Sequence, residues 1–165
     1  MDEKLVTEVA TNRRTFLKAS GLVAVTVAVP SFVWGCSRAE DVAEAVEVKK
    51  KEEWEKRAAA LEQPGVHTTS SPGKWEGKAA GHVPQVTFRQ GECELFTKHP
   101  MSEEHYITAH YLRNQDGIVI GWHDFQGTDP EARHTFTLPK GTTQITAYSH
   151  CNQHDHWKSD AAEVA

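Results

Sequence analysis

From about residue 83 onward apolar and polar side chains alternate in short runs, at 83–88, 94–97, 105–113, 118–125, 134–138 and 144–151, each bounded by turn residues. Side chains two apart on a strand share a face, so Ile145, Ala147, Ser149 and Cys151 line up and His150 points the other way. The same count places His105, Ile107, Ala109 and Tyr111 on one face, with His110 opposite. Asp116-Gly117 marks a hairpin, and Pro139-Lys140-Gly141 separates the last two runs. Six or seven short strands in about 90 residues, with no helix among them, predict an all-β sandwich or small barrel.

Upstream the pattern changes. Residues 39–63 lack Gly and Pro and are dense in Ala, Glu and Lys, which predicts a helix. Glu47/Lys51, Glu52/Lys56 and Glu53/Arg57 lie four apart with the acid first, the favourable order. The apolar stripe is thin: Val42, Ala45, Val46, Trp54 and Leu61. It reads as a solvated, charged stalk; the alternative is a helix that docks on the domain or pairs with a second copy in a homo-oligomer. Pro64-Gly65 ends it, and residues 68–73 are a loop by composition.

Residues 1–36 form a third compositional zone. Asn12-Arg13-Arg14-Thr15-Phe16-Leu17-Lys18 reads as a twin-arginine export signal, followed by a weakly apolar run at 19–33 that contains Pro30. That run is short for a membrane span, although an uncut signal anchor is the alternative. Val33-Trp34-Gly35-Cys36 resembles a lipoprotein processing site, which would attach the protein to a membrane through Cys36; Ser37-Arg38-Ala39 offers an ordinary cleavage site instead. The expected organisation is therefore 1–36 signal, 37–63 charged helix and 64–165 β-domain, with a periplasmic or other extracytoplasmic location.

The formal net charge of −5 gives no reason to expect nucleic acid as a partner. Three cysteines are too few and too unevenly placed for a disulfide framework, whereas ten histidines in 165 residues are many. Cys151 and His154 are three apart and can close on one ion from a single turn. Imidazole with thiolate suits zinc, copper or iron and suits magnesium or calcium poorly. Further donors are available in His99-Pro100-Met101-Ser102-Glu103-Glu104-His105 and in Gly81-His82-Val83-Pro84. Spacing alone leaves open a structural zinc site of one Cys and three His.

Two longer motifs decide more than spacing does. His99-Pro100-Met101 with His105-Tyr106-Ile107, then Cys151-Asn152 with His154 and Trp157, resembles the iron centre of the superoxide reductases, the desulfoferrodoxin/neelaredoxin family. His82-Val83-Pro84 is similar to the start of the same pattern, and the resemblance covers residues 72–158. It implies an immunoglobulin-like β-sandwich and one non-haem iron. His82, His99, His105 and His154 would be equatorial imidazoles, and Cys151 the axial thiolate. The implied activity is reduction of superoxide to hydrogen peroxide, with an electron from a separate donor protein. Cys36 and Cys93 cannot supply the four-cysteine iron site of two-iron members, so the resemblance is to the one-iron type. Cys93 reads as a strand-edge thiol.

The family pattern is not complete. Members carry Glu-Lys directly before the first His, where this chain has Ala80-Gly81. Lys78, the candidate catalytic cation, stands four residues before His82 instead of one. An ammonium displaced beyond a Debye length of about 8 Å loses most of its pull on an anion. The departure keeps a second function in view: a non-enzymatic iron protein that binds nitric oxide or cyanide, transfers electrons or senses redox state. His156 stands where the family has an apolar residue and is expected to bring a titratable group near the iron. His110, His123, His134 and His150 read as surface or hydrogen-bonded side chains before they read as a second site. Trp75 and Trp157 read as packing residues.

Overall fold

The computed structural model describes residues 39–164; the twin-arginine segment, the apolar run and Cys36 lie outside them. Helix α1 spans Ala39–Glu62, one residue short of the range predicted from the absence of Gly and Pro. Nine strands follow: β1 Val66–His67, β2 Gln85–Arg89, β3 Glu92–Thr97, β4 Ile107–Asn114, β5 Val119–Asp124, β6 Ala132–Thr137, β7 Gln144–Cys151, β8 Asp155–Lys158 and β9 Ala162–Glu163. The six predicted runs are β2 to β7. The other three are short strands that pattern alone does not reveal.

These strands make two sheets, one ordered β1-β8-β7-β4-β5 with β9 also on β7, the other β2-β3-β6. The expected all-β sandwich is the observed architecture. Its interior packs Cys93, Leu95, Leu112, Phe136, Ile145 and Ala147, and a second buried group joins Ile107, Phe125, Ala132 and Cys151. Cys93 is thus no edge thiol: it sits on the central strand of the smaller sheet, fully buried, and burial pushes its thiol up to about 11.

Strand β4 departs from simple alternation. Its pairing with β7 shifts between Ile107 and Ala109, a bulge that turns the face over. Ile107 faces the sandwich interior, and beyond the bulge His110 and Leu112 do so instead of Ala109 and Tyr111. His110 is fully buried, takes Thr97 Oγ1 at 2.8 Å on Nε2, and is held down to about 3 by burial, hence neutral. The expected shared face of His105 and Tyr111 does not exist. On β7, where no bulge intervenes, Ile145, Ala147, Ser149 and Cys151 are all buried on one face as predicted.

Helix α1 is a stalk for only half its length. Val42, Val46 and Val48 are 53%, 60% and 51% exposed, but Ala58 is 0% exposed. Its C-terminal half covers the outer face of the larger sheet, where Ala58 packs with Tyr111, Val119 and Tyr148, flanked by Trp54, Leu61, Val66 and Trp122. Polar ties fix the register. Arg113 reaches Glu55 at 2.9 Å and Glu62 at 3.0 Å, Glu55 accepts from Val119 N, and Arg57 pairs with Asp124. The apolar stripe underestimates this contact because much of the docked face is Ala and long side chains whose stems cover apolar surface.

Substituting Ala58→Asp places an unpaired carboxylate in that fully covered layer. The expected loss is at least about 3 kcal/mol in denaturant unfolding, with faster hydrogen exchange across α1. A change below about 0.5 kcal/mol, the range of surface substitutions, would show that the helix is not part of the domain.

Candidate metal centre

Four segments converge at one end of the sandwich. His82 closes a 3₁₀ turn at Ala79–Gly81, with its N–H donating to Ala79 O at 3.1 Å. His99 follows the end of β3, and Pro100 keeps it extended. His105 does not begin a strand, as alternation suggests; it sits in a turn in which Ser102 and His105 exchange backbone hydrogen bonds at 3.1 and 3.2 Å. Cys151 ends β7, and His154 lies in the turn that leads into β8.

One ligand atom from each of His82, His99, His105, Cys151 and His154 lies within 4.8 Å of all the others. Their rings close a loop: neighbouring centroids are 4.7 Å apart for His82/His99, 4.5 Å for His99/His105, 4.7 Å for His105/His154 and 4.8 Å for His154/His82. Cys151 Sγ stands 3.7 Å from His99 Nε2 and 3.5 Å from His154 Nδ1. Every residue predicted from the motifs as a ligand is in the group. Among the described residues it is the one such cluster of three or more His, Cys, Asp or Glu side chains.

The outer hydrogen bonds set the tautomers. His82 Nδ1–H donates to Lys78 O at 2.8 Å, and His99 Nδ1–H donates to Pro100 O at 2.5 Å. Each leaves its Nε2 lone pair facing inward. His82 Nε2 is buried without a partner. His105 Nε2 lies 3.1 Å from His99 Nε2 and 2.9 Å from His154 Nδ1, within hydrogen-bond reach of both. Burial lowers His82, His99 and His154, with His99 at about 4, so these rings are neutral near pH 7. Inward lone pairs on neutral rings repel unless a cation sits among them. The donor set therefore fits a transition metal.

Residues outside the predicted set hold the two motifs together. Asn152 donates to Glu104 O at 2.9 Å and accepts from Tyr106 N at 3.1 Å, and Gln153 also reaches Glu104 O at 3.0 Å. Trp157 donates to His154 O at 2.7 Å, and its ring lies 5.4 Å from His82. Gly127 is required by a close approach: a Cβ there would lie 2.5 Å from Ser102 O and 2.6 Å from Glu103 Cα, behind the turn that carries His105. Asp155, unremarked in the sequence, has φ +61 and accepts from Trp75 and Lys74.

His156 does not face the ligands: its Nε2 bonds Tyr111 Oη at 2.7 Å, its ring stacks on Tyr111 and Tyr148, and burial lowers it to about 3. His150 bonds Thr108 Oγ1 at 2.8 Å. His123 and His134 stack on each other at 3.8 Å, away from the cluster's members. Ala80 and Lys78 are exposed; the Lys78 carbonyl accepts from His82 Nδ1, and the Lys78 charge bears on His82 and His154.

A β-sandwich with four imidazoles and one thiol converging at its end presents a donor set that could hold one metal ion. The sequence model of the desulfoferrodoxin family matches residues 73–160, more than half of the chain, and the protein belongs to that family. Solved structures similar to it include superoxide reductases from three organisms. That from Giardia intestinalis is 22% identical over 51% of this chain and 98% of that one, with a TM-score of 0.46. That from Treponema pallidum is 28% identical over 50% of this chain and 66% of that one, at 0.44. The neelaredoxin from Ignicoccus hospitalis is 22% identical over 60% and 93%, at 0.49. No curated protein matches the chain.

Burial raises the Cys151 thiol, so the metal-free protein holds it protonated at pH 7 while His82 and His99 are neutral. Metal uptake then releases about one proton per ion, from sulfur. Apparent zinc affinity should rise about tenfold per pH unit between pH 7 and 8. A pH-independent affinity, or loss of the slope only on removing a histidine, would contradict this.

Proposed function

We propose that this protein is an exported mononuclear non-haem iron oxidoreductase that reduces superoxide to hydrogen peroxide. The observation that carries the reading is the closed ring of His82, His99, His105 and His154 with Cys151 beside it, all within 4.8 Å. Family membership over residues 73–160 supports it. When bound, iron supplies the one-electron couple and an open position for a small anion. Four neutral imidazoles and one thiolate leave iron(II) with a formal charge of +1, which favours an anionic substrate. Lys78 O and Pro100 O hold the His82 and His99 rings with Nε2 directed inward. Superoxide takes one electron and two protons, and a separate donor protein returns the electron.

The N-terminal segment supports export by the twin-arginine route to the periplasm or an equivalent compartment, with Cys36 as a lipid anchor or removed with the signal. That route suits a protein that folds and takes up its metal before crossing.

One observation favours a second reading. The positions directly before His82, Ala80 and Gly81, carry no charge, and the ammonium of Lys74 is engaged by Asp155 at 2.8 Å. A site with no cation on the two residues directly before its first histidine suits a protein that binds nitric oxide or cyanide, or that passes electrons. Gly81 has room for the test: a Cβ there would meet only Lys98 O, at an ordinary 3.5 Å, with no positive φ. Pulse radiolysis of the iron(II) protein should show superoxide consumption approaching the diffusional ceiling of about 10⁸–10⁹ M⁻¹s⁻¹, changed less than tenfold by Gly81→Lys. No reaction in the natural protein, with fast reaction only in Gly81→Lys, would establish the second reading instead.

A further inference from the structure

We propose that Asp155 is a positioning residue of the metal centre, holding the segment that leads to His82 against the turn that carries Cys151 and His154. The inference rests on the reading of the five residues as one metal site. His82 is carried by the stretch between β1 and β2, which has only two short 3₁₀ turns and pairs with neither sheet. Its tie to the ligand turn must therefore come from side chains and from β1, whose Val66 and His67 pair with His156 and Trp157.

Asp155 supplies that tie. Its Oδ2 accepts from Trp75 Nε1 at 2.8 Å and from Lys74 Nζ at 2.8 Å, and lies 3.6 Å from His67 Nε2. Two donors, Lys74 and Trp75, with His67 beside them, thus meet on the residue directly after His154. The Trp75 ring, held by its Nε1 bond, stands edge-on to the His154 imidazole at 4.8 Å, and His154 in turn touches His82 at 4.8 Å. Asp155 also occupies the left-handed region at φ +61, where glycine would be at ease and most side chains are not. A carboxylate kept at such a position, with two 2.8 Å bonds and a neighbouring histidine, is placed for the contacts it makes.

The test uses cobalt(II) alone as the probe and the full chain. Asp155→Gly removes the carboxylate while easing the backbone, so loss of folding does not obscure the result. Outer residues that orient metal ligands typically contribute about 10–100-fold in metal affinity. The expected result is a loss of that size, altered ligand-field bands of the bound cobalt, and faster hydrogen exchange over residues 66–81 of the metal-free protein. Trp75→Phe, which keeps the ring and deletes the donor, should give part of the same loss, and the double variant little more than Asp155→Gly alone. Wild-type cobalt affinity and spectrum in Asp155→Gly would overturn the proposal, as would losses that multiply independently. Cobalt binding is read without superoxide, so its failure and a failure of the proposed reaction are separately visible.

Discussion

Four imidazoles and a thiol brought within a few ångströms present inward lone pairs that a cation would satisfy, and the rest of this domain can be understood as the means of holding them there. His82 Nε2 has no partner of its own, and His105 Nε2 faces two other ring nitrogens at 2.9 and 3.1 Å. Such an arrangement survives only where the surrounding chain over-determines it. Lys78 O and Pro100 O fix two rings from behind, and Asn152 locks the Ser102–His105 turn to the β7–β8 turn. A bound cation would satisfy these inward lone pairs at positions the fold already sets.

The scaffold behind the cluster is layered. One face of the larger sheet meets the smaller sheet through an apolar core, and the other is covered by the C-terminal half of α1. The helix-covered layer is unusually polar. Tyr111 donates to Glu62 at 2.6 Å and receives from His156 at 2.7 Å, while Arg113 closes the group. These bonds give the layer a specific register, although His156 Nδ1 is left without a partner. It fixes β4, β7 and β8, the strands on which Cys151 and the His154 turn depend.

How far the sequence revealed this depends on the kind of interaction. The residues that cluster were legible because His99-Pro100-Met101, His105 and Cys151-Asn152 with His154 are closely spaced motifs with a shared chemistry. The six longer strands were legible from alternation, and the face of β7 was assigned correctly. Alternation failed on β4 because one bulged residue exchanges the faces, which turned His110 inward and broke the count from His105 to Tyr111. The docking of α1 was hidden by its composition, since Ala58 gives a hydrophobic scan almost no signal yet permits the closest approach. Asp155 was invisible for another reason: its partners Lys74, Trp75 and His67 are some eighty residues away in sequence, and nothing local marks a carboxylate at a positive φ.

The most direct measurement is X-ray absorption spectroscopy of the iron-loaded protein, read for the identity of the atoms bound to the metal. One sulfur together with four imidazole nitrogens is the expected result, and the sulfur should vanish in Cys151→Ser. A shell without sulfur, or one in which carboxylate oxygens replace the imidazoles, would contradict the assignment of His82, His99, His105, Cys151 and His154 as one metal centre.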